Sequence, residues 1–258
     1  MAHVLGGGQA AAFFDLDRTL IAGSANFPLA VAAFRAGLVS PREIAHDAVN
    51  ALAFGLRGAS DARSEALRDR ILRAVTGVRT ERLRALGETV VPQLAASVFP
   101  EARRELEEHA AAGRDRIIVS ASPQEVVQAV ADALGLEGAI GTRAAVVDGR
   151  YTGELAGPFC YGEHKPVEMN RLAAERGYDL SLSSAYSDSS SDLPFLEAVG
   201  TAVAMNPDPE LRVIAAERGW RVVNVSSRRT SVMAFVSRIP ASFRRVVMSR
   251  SIESEARN

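Results

Sequence analysis

Short apolar runs that end in acids or hydroxyls alternate with stretches of helical periodicity along this chain. The run AAAFF stops at Asp15, and the runs IIVSAS and SAYSDS end in serines and an aspartate. Each predicts a buried strand with polar groups at its carboxyl end. Residues 123–134 predict a helix with Ser122 as N-cap, Glu125 completing a capping box and Gly135 ending it. The alternation predicts an α/β fold, a Rossmann-like parallel sheet flanked by helices, whose ligands gather beyond the strand ends.

Residues 22–92 show helical patterns and no strand pattern. One predicted helix begins at Ser40 and Pro41, and others cover residues 67–75 and 83–90. We expect this block to be an all-helical cap, inserted after the first strand and lying over the strand ends. The predicted division is a core of residues 1–21 and 93–227, a cap of residues 22–92 and a basic extension of residues 228–258.

A β-hairpin is predicted between the second and third strand runs. Residues 143–155 alternate in polarity around Asp148-Gly149, a dipeptide that favours the tight turn between two antiparallel strands. This hairpin is expected to be structural.

Composition and charge narrow the classes of function. The chain has 258 residues, 47% of them hydrophobic, and a formal net charge of -1, so nothing suggests a nucleic-acid-binding body. Residues 228–258 hold seven arginines against two glutamates; we favour a solvated extension over an amphipathic segment in peripheral contact with anionic lipid. Cys160 is the only cysteine, which excludes an internal disulfide framework and makes the cytoplasm the expected location. No apolar run approaches the roughly 18 residues that a membrane-spanning helix needs.

Two pairs of acids follow predicted strands. Asp15 and Asp17 lie at the mouth of a buried strand, where two carboxylates repel each other and need a cation or a shared proton, unless the backbone turns one away. Asp188 and Asp192 are four residues apart, so one helical turn brings them close. Carboxylate oxygens suit Mg²⁺. The structural alternatives are a strand-ending turn for the first pair and a polar capping loop for the second.

A serine and a lysine add to these acids. Lys165 is the one lysine among 30 basic residues, and it precedes a predicted helix. Its compact charge suits a phosphate oxygen beside a metal in a way that the broad fork of arginine does not, although chance retention is the alternative. Ser120 ends the second strand run, where its hydroxyl can donate to a phosphate oxygen.

The order of these stretches resembles the haloacid dehalogenase superfamily, and specifically its phosphoserine-phosphatase-like branch. The matching stretches are DLDRT at residues 15–19, VSAS at 119–122, HK at 164–165 and SDSSSDLPFL at 187–196. The resemblance covers roughly residues 10–225, including the helical insertion in the place of that branch's cap. It implies a magnesium-dependent phosphomonoester hydrolase that passes through an aspartyl-phosphate intermediate.

The resemblance also implies roles for individual residues. Asp15 is the implied nucleophile, and Asp17 is the implied general acid and then base. The implied Mg²⁺ ligands are Asp15, Asp188 and the backbone carbonyl of Asp17. Asp192 is implied to orient Lys165 or the metal waters. The implied contacts to the phosphorylated substrate are Thr19, Ser120, Ala121 and Lys165.

The sequence differs from the phosphoserine enzymes at one position that bears on the substrate, and it also argues against two other classes of protein. Phosphoserine enzymes of this branch carry a glutamate nine residues after the nucleophile for the substrate ammonium, and here that position is Ser24. Phosphoserine is therefore only the first candidate, beside sugar or lysophospholipid phosphates, and a phosphotransferase is a further alternative. A receiver-type signalling domain is shorter and lacks both DxDxT and a cap. A non-catalytic relative is expected to lack one of Asp15, Asp17 or Lys165, and all three are present.

Overall fold

A computed structural model describes residues 8–37 and 61–225 of the chain. The strands are β1 (Ala11–Phe14), β2 (Asp115–Pro123), β3 (Gly138–Thr142), β4 (Ala144–Val147), β5 (Arg150–Leu155), β6 (Ser184–Ser187), β7 (Thr201–Met205) and β8 (Arg221–Val223). The described helices are α1 (Asn26–Arg35), α2 (Asp61–Val75), α3 (Thr80–Ala96), α4 (Pro100–Ala111), α5 (Gln124–Leu134), α6 (His164–Arg176), α7 (Leu193–Glu197) and α8 (Pro209–Arg218). Short 3-10 turns cover Leu180–Leu182 and Ser190–Asp192.

Six parallel strands form the central sheet, in the order β3-β2-β1-β6-β7-β8. From β1 the chain adds β2 and β3 on one side, and then β6, β7 and β8 on the other. The direction of winding therefore reverses between β1 and β6, and such a switch point leaves a crevice beyond the carboxyl ends of the two strands. The predicted α/β fold with a parallel sheet is confirmed.

Strand β1 lies in the middle of the sheet because all four of its residues are apolar and fully buried. Phe13 packs into the apolar layer that includes side chains of α6 and α8, and Phe14 packs into the opposite layer with α3, α4 and α5. Successive side chains of a strand point to opposite faces, so the two phenylalanines serve both layers. Burial on both faces fixes the register of β1 and hence the position of the residue that follows it.

The helical insertion leaves and re-enters the core at adjacent points. Ile21 and Val98 form an isolated antiparallel bridge, and the N–H of Ala22 donates to the carbonyl of Ser97 at 3.0 Å. Between this bridge and its return, the described residues contain α1, α2 and α3. The boundary expected after residue 92 lies inside α3, because that helix continues to the bridge that returns the chain to the core.

The predicted hairpin is confirmed. Strands β4 and β5 pair antiparallel. Asp148 and Gly149 connect them with φ values of 50° and 71°, the left-handed backbone that a two-residue hairpin turn requires.

The helix predicted over residues 123–134 begins at Gln124 and ends at Gly135, which adopts the expected left-handed conformation. The predicted capping box is wrong. Strand β2 continues through Pro123, which becomes the N-cap and makes no side-chain cap hydrogen bond. The carboxylate of Glu125 instead accepts a hydrogen bond from the hydroxyl of Tyr151 at 2.6 Å, so tertiary contact with the hairpin overrides the local capping pattern.

Two predicted segments lie outside the described residues: the helix beginning at Ser40 and Pro41, and the basic extension of residues 228–258. Within residues 8–37 and 61–225, every helix is too short or too polar to span a membrane.

Candidate active site

Two of the predicted acids lie side by side at the carboxyl edge of the sheet. Asp15 directly follows β1 and Asp188 directly follows β6, and these two strands pair in parallel. The N–H of Asp15 donates to the carbonyl of Tyr186 at 2.9 Å, which extends the pairing by one residue. Both carboxylates are buried, with 7% and 4% exposure. The sheet therefore holds two acids at fixed positions in the crevice of the switch point.

Lys165 connects the nucleophile candidate to the second acid pair. It is the second residue of α6 and is 2% exposed. Its Nζ donates to Asp15 Oδ1 at 2.6 Å and to Asp192 Oδ2 at 2.7 Å. Asp192 Oδ2 also accepts from the hydroxyl of Ser187 at 2.6 Å. The ammonium is thus held between two carboxylates, and one of these is itself held in place from the end of β6.

Asp17 is bound by the segment that leads into the insertion. Its Oδ2 accepts from the hydroxyl of Ser24 at 2.6 Å, and its Oδ1 accepts from the N–H of Ala25 at 2.9 Å. The hydrogen bonds of Lys165 go to Asp15 and not to Asp17. The two acids of the DLD motif therefore have different partners, as acids with different chemical roles require.

Asp188 is held by residues of the first motif. Arg18 Nε lies 2.9 Å from Asp188 Oδ2, and the hydroxyl of Thr19 donates to Asp188 Oδ1 at 3.3 Å. Arg18 has a φ of 61°, and its carbonyl accepts a hydrogen bond from the side-chain amide of Asn206 at 3.0 Å. A non-glycine residue in this left-handed conformation needs such support from its surroundings. Thr19 is completely buried and its hydroxyl donates to Asp188, while its expected contact with the substrate stays a prediction.

The candidate phosphate contacts from β2 lie near the end of that strand. Ser120 is 2% exposed, and its Oγ accepts a hydrogen bond from the N–H of Ser122 at 3.2 Å. A hydroxyl that accepts in this way keeps its own proton to donate. The carbonyl of Ala121 accepts from the hydroxyl of Thr142 on β3 at 2.8 Å, which fixes the backbone there.

Burial controls the charge of the nucleophile candidate. It raises the pKa of Asp15 to about 6, although the charge of Lys165 acts in the opposite direction. In the folded protein the loss of hydration outweighs the lysine, because a carboxylate without water is strongly destabilised.

The other charged groups respond to burial in the same way. Burial raises the pKa of Asp17, while the hydrogen bonds from Ala25 and Ser24 act to lower it. Burial also raises the pKa of Asp188 well above its ordinary value, against the opposing charge of Arg18. For Lys165, burial alone would lower the pKa, but the neighbouring carboxylates outweigh it and raise the pKa above the usual range. The lysine is therefore a permanent cation in a site of excess negative charge.

The donor set fits Mg²⁺. Besides burial, the negative charge of Asp15 raises the pKa of Asp188. The two acids therefore bring together negative charge that a hard cation would neutralise. Among the residues that the structure describes, no group of three or more His, Cys, Asp or Glu side chains forms a metal cluster. Mg²⁺ keeps several waters and needs only one or two carboxylates, so these two with a backbone carbonyl form a sufficient site.

Sequence reasoning missed four contacts in the site. Arg18 and Ser187 lie inside recognised motifs but had no assigned role. Ser24 was considered only as the position of the missing glutamate, and its contact with Asp17 was not foreseen. Asn206 directly follows β7, and a polar residue at the carboxyl end of a parallel strand is the signal that finds it.

Comparisons with known proteins identify the family of this chain. The family model of haloacid dehalogenase-like hydrolases matches residues 12–197. A probable phosphatase of Mycobacterium tuberculosis is 41% identical over 219 residues, which cover 84% of this chain and 76% of that protein. A phosphoserine phosphatase of the same species is 37% identical over 215 residues, covering 83% and 70%.

Among solved structures, a protein of unknown function from Bordetella pertussis Tohama I superposes with a TM-score of 0.73 and 32% identity, covering 84% of this chain and 99% of that one. The family model spans well over half of the 258 residues, and it includes all four motifs. The chain therefore belongs to the haloacid dehalogenase-like hydrolase family, among its phosphatases of the phosphoserine-phosphatase-like branch.

Proposed function

We propose that this protein hydrolyses a small phosphate monoester with Mg²⁺, and that the carboxylate of Asp15 forms an aspartyl-phosphate intermediate. The observation that carries the proposal is the buried ammonium of Lys165, which bonds Asp15 at 2.6 Å and Asp192 at 2.7 Å beside Asp188. A carboxylate oriented by a fixed cation, at the mouth of a crevice, has the position that an attacking nucleophile needs.

In the first step a carboxylate oxygen of Asp15 attacks phosphorus. The new bond forms as the bond from phosphorus to the leaving alcohol oxygen breaks, and protonated Asp17 gives its proton to that oxygen. The raised pKa of Asp17 supports its role as a proton donor. Lys165 and the hydroxyl of Ser120 neutralise charge on the phosphoryl oxygens, with the N–H of Ala121 as a further donor.

In the second step Asp17, now an anion, takes a proton from water while the water oxygen attacks phosphorus. The bond between phosphorus and Asp15 breaks, inorganic phosphate leaves and both acids return to their starting states. If an alcohol replaces the water, the same intermediate gives phosphotransfer.

Asp15, Asp188 and the backbone carbonyl of Asp17 would hold Mg²⁺. When bound, the ion neutralises charge on the phosphoryl group. Asp192 and Thr19 then have supporting roles: Asp192 holds Lys165, and Thr19 holds Asp188.

We propose that the insertion acts as a cap over this site, with its return point at Ser97 and not at residue 92. The insertion joins the core through the Ile21–Val98 bridge. Its first helix begins two residues after Ser24, which contacts Asp17. A cap that starts at the acid can enclose the substrate and exclude water.

O-phosphoserine is the first substrate candidate, through the similarity to a phosphoserine phosphatase. One observation favours a second candidate, a phosphomonoester without an adjacent amine such as a sugar or lysophospholipid phosphate. The hydroxyl of Ser24 donates to Asp17, so this position offers no carboxylate to a substrate ammonium.

Phosphate release across a panel of phosphomonoesters, with Mg²⁺, tests the proposal. Wild-type protein is expected to release phosphate from at least one member, and an added alcohol acceptor separates hydrolysis from transfer. Asp15→Asn is the matched inactive control. Absence of turnover across a broad panel, with well-folded protein and Mg²⁺ present, would overturn the proposal.

A further inference from the structure

We propose that Ser24 is a positioning residue for proton transfer: its hydroxyl, together with the N–H of Ala25, holds the Asp17 carboxylate in the orientation from which it exchanges a proton with the leaving oxygen. The inference rests on the proposed function, in which Asp17 is the general acid and base. It assigns to Ser24 a role within the reaction in place of a contact with the substrate.

The geometry leaves the Asp17 carboxylate little freedom. Ser24 Oγ lies 2.6 Å from Oδ2, and the N–H of Ala25 lies 2.9 Å from Oδ1. One donor on each oxygen fixes rotation of the carboxylate plane, and hydrogen bonds to an ionised acceptor are short and strong. Lys165 bonds Asp15 and Asp192, and Arg18 pairs with Asp188.

The backbone that presents these donors is itself held on the core side. The N–H of Arg18 donates to the carbonyl of Gly23 at 2.9 Å, and Ala22 donates to Ser97 at 3.0 Å. Gly23 has a φ of 96°, which strongly favours glycine, and this turn brings residue 24 back over Asp17. The turn at Gly23 therefore brings the side chain of Ser24 back to Asp17 of the DLD motif.

The same segment begins the cap. The N–H of Asn26 donates to Ser24 Oγ at 3.3 Å, so the hydroxyl oxygen accepts from the first residue of α1 while its proton goes to Asp17. The orientation of the acid is thus coupled to the first turn of the cap. A purely structural role as a helix cap explains the contact with Asn26 but not the one with Asp17.

The choice of leaving group distinguishes a role of Ser24 in positioning Asp17 from a purely structural role as a helix cap. Breaking the bond to an alkyl alcohol requires a proton on the leaving oxygen, whereas 4-nitrophenolate leaves readily without one. If the Asp17 carboxylate is no longer held in place, kcat/KM should therefore fall for an alkyl phosphate and stay nearly unchanged for 4-nitrophenyl phosphate. A general loss of structure lowers both together.

The test compares Ser24→Thr with Ser24→Val, which have nearly the same shape and differ in the hydroxyl. We expect the valine variant to lose about tenfold or more in kcat/KM for glycerol phosphate and less than about threefold for 4-nitrophenyl phosphate, with threonine retaining the wild-type ratio. Ser97→Ala is the matched control, because this serine lies in the other linker and donates to the carbonyl of Leu94. It should leave the ratio unchanged.

Thermal unfolding of each variant checks that the fold is intact, and Ser24 is exposed, so the substitutions leave the core untouched. Equal losses on both phosphates, or no loss in the valine variant, would overturn the inference while the proposed function stands. If the wild-type protein turns over neither phosphate nor any other monoester, the proposed function itself fails.

Discussion

Lys165 is an ammonium at 2% exposure between two carboxylates, and its environment leaves no room for a broader cation. Lys165→Arg keeps the charge but must displace Asp15 or Asp192. We expect kcat/KM to fall by about a hundredfold or more, since displacement of a catalytic group by an ångström has effects of that order. Arg171→Lys is the control, because this arginine is exposed and pairs with Glu168 and Glu175 of the same helix. Near-normal kinetics in Lys165→Arg would show that a compact cation is unnecessary.

Asp15→Asn tests whether Asp15 is the nucleophile. An amide has no anionic oxygen for attack on phosphorus, so both turnover and a trapped phosphoenzyme should disappear. The measurement is rapid acid quench with labelled substrate, followed by peptide mapping. Label recovered on Ser120, or on any residue other than Asp15, would contradict the mechanism.

The pKa of Asp15 sets a pH limit on metal binding. Burial raises the pKa of Asp15 to about 6. Below that pH, Mg²⁺ must displace a proton from the Asp15 carboxyl in order to bind, whereas above it the carboxylate is already ionised. We expect affinity for Mg²⁺ in titration calorimetry to weaken by about tenfold between about pH 7 and about pH 5. Activity should be lost with EDTA. Equal affinity at both pH values, or undiminished turnover in thoroughly chelated protein, would contradict the metal assignment.

At the scale of the elements, a buried polar network ties α4 to the sheet behind the site. His109 Nε2 lies 2.7 Å from the hydroxyl of Tyr186, which donates to Glu105 Oε2 at 2.9 Å. Arg221 on β8 donates to Glu105 Oε1 at 2.7 Å. If Tyr186 donates to the glutamate, His109 must donate a proton from Nε2, and a neutral imidazole can do so only in the tautomer with its proton on Nε2. The network connects α4, β6 and β8.

This network predicts an acid-dependent loss of stability. Burial lowers the pKa of His109 to about 4, so between about pH 6.5 and that value the unfolded chain binds a proton that the folded protein does not. The stabilisation is present above pH 6.5 and is lost as pH falls through about 4. We expect a loss of about 2 kcal/mol in the free energy of unfolding, reduced from the full linkage value by solvent screening.

The measurement is urea unfolding of wild type and His109→Gln at several pH values. Asp15 has a raised pKa and contributes the opposite slope, but it is present in both proteins and cancels in the difference. The difference should shrink as the pH falls. A difference independent of pH would show that His109 does not titrate with unfolding.

At the scale of the whole molecule, we expect the junction between the proposed cap and the core to influence the choice of substrate. Ser24 sits at that junction and is engaged with Asp17, so we expect weak discrimination for an amine next to the phosphate. An ion pair in a desolvated pocket is worth about 2 kcal/mol or more, hence more than tenfold in kcat/KM. The comparison is O-phosphoserine against glycerol phosphate and phosphoglycolate. A preference for phosphoserine above about a hundredfold would mean that another acid binds the ammonium.

Much of the architecture follows from local pattern. The buried run before Asp15, the Asp-Gly turn of the hairpin and Gly135 at the end of α5 all predicted what the structure contains. Each depends on neighbours in the chain: side-chain alternation, a left-handed turn or a helix stop. The capping box at Ser122 failed because a distant residue, Tyr151, bonds Glu125, and no local pattern contains that contact.

The sequence by itself determined the fold class, the family and the set of chemical groups, because motifs at strand ends are local and parallel strands carry their ends to one edge. Only the tertiary structure decided how those groups behave. Burial raised the pKa of Asp15 despite Lys165, the loop at Gly23 turned Ser24 onto Asp17, and β7 brought Asn206 to Arg18. The loss of water around a buried carboxylate, and contacts between residues far apart in the sequence, arise only when the chain is packed. A local sequence pattern therefore does not predict them.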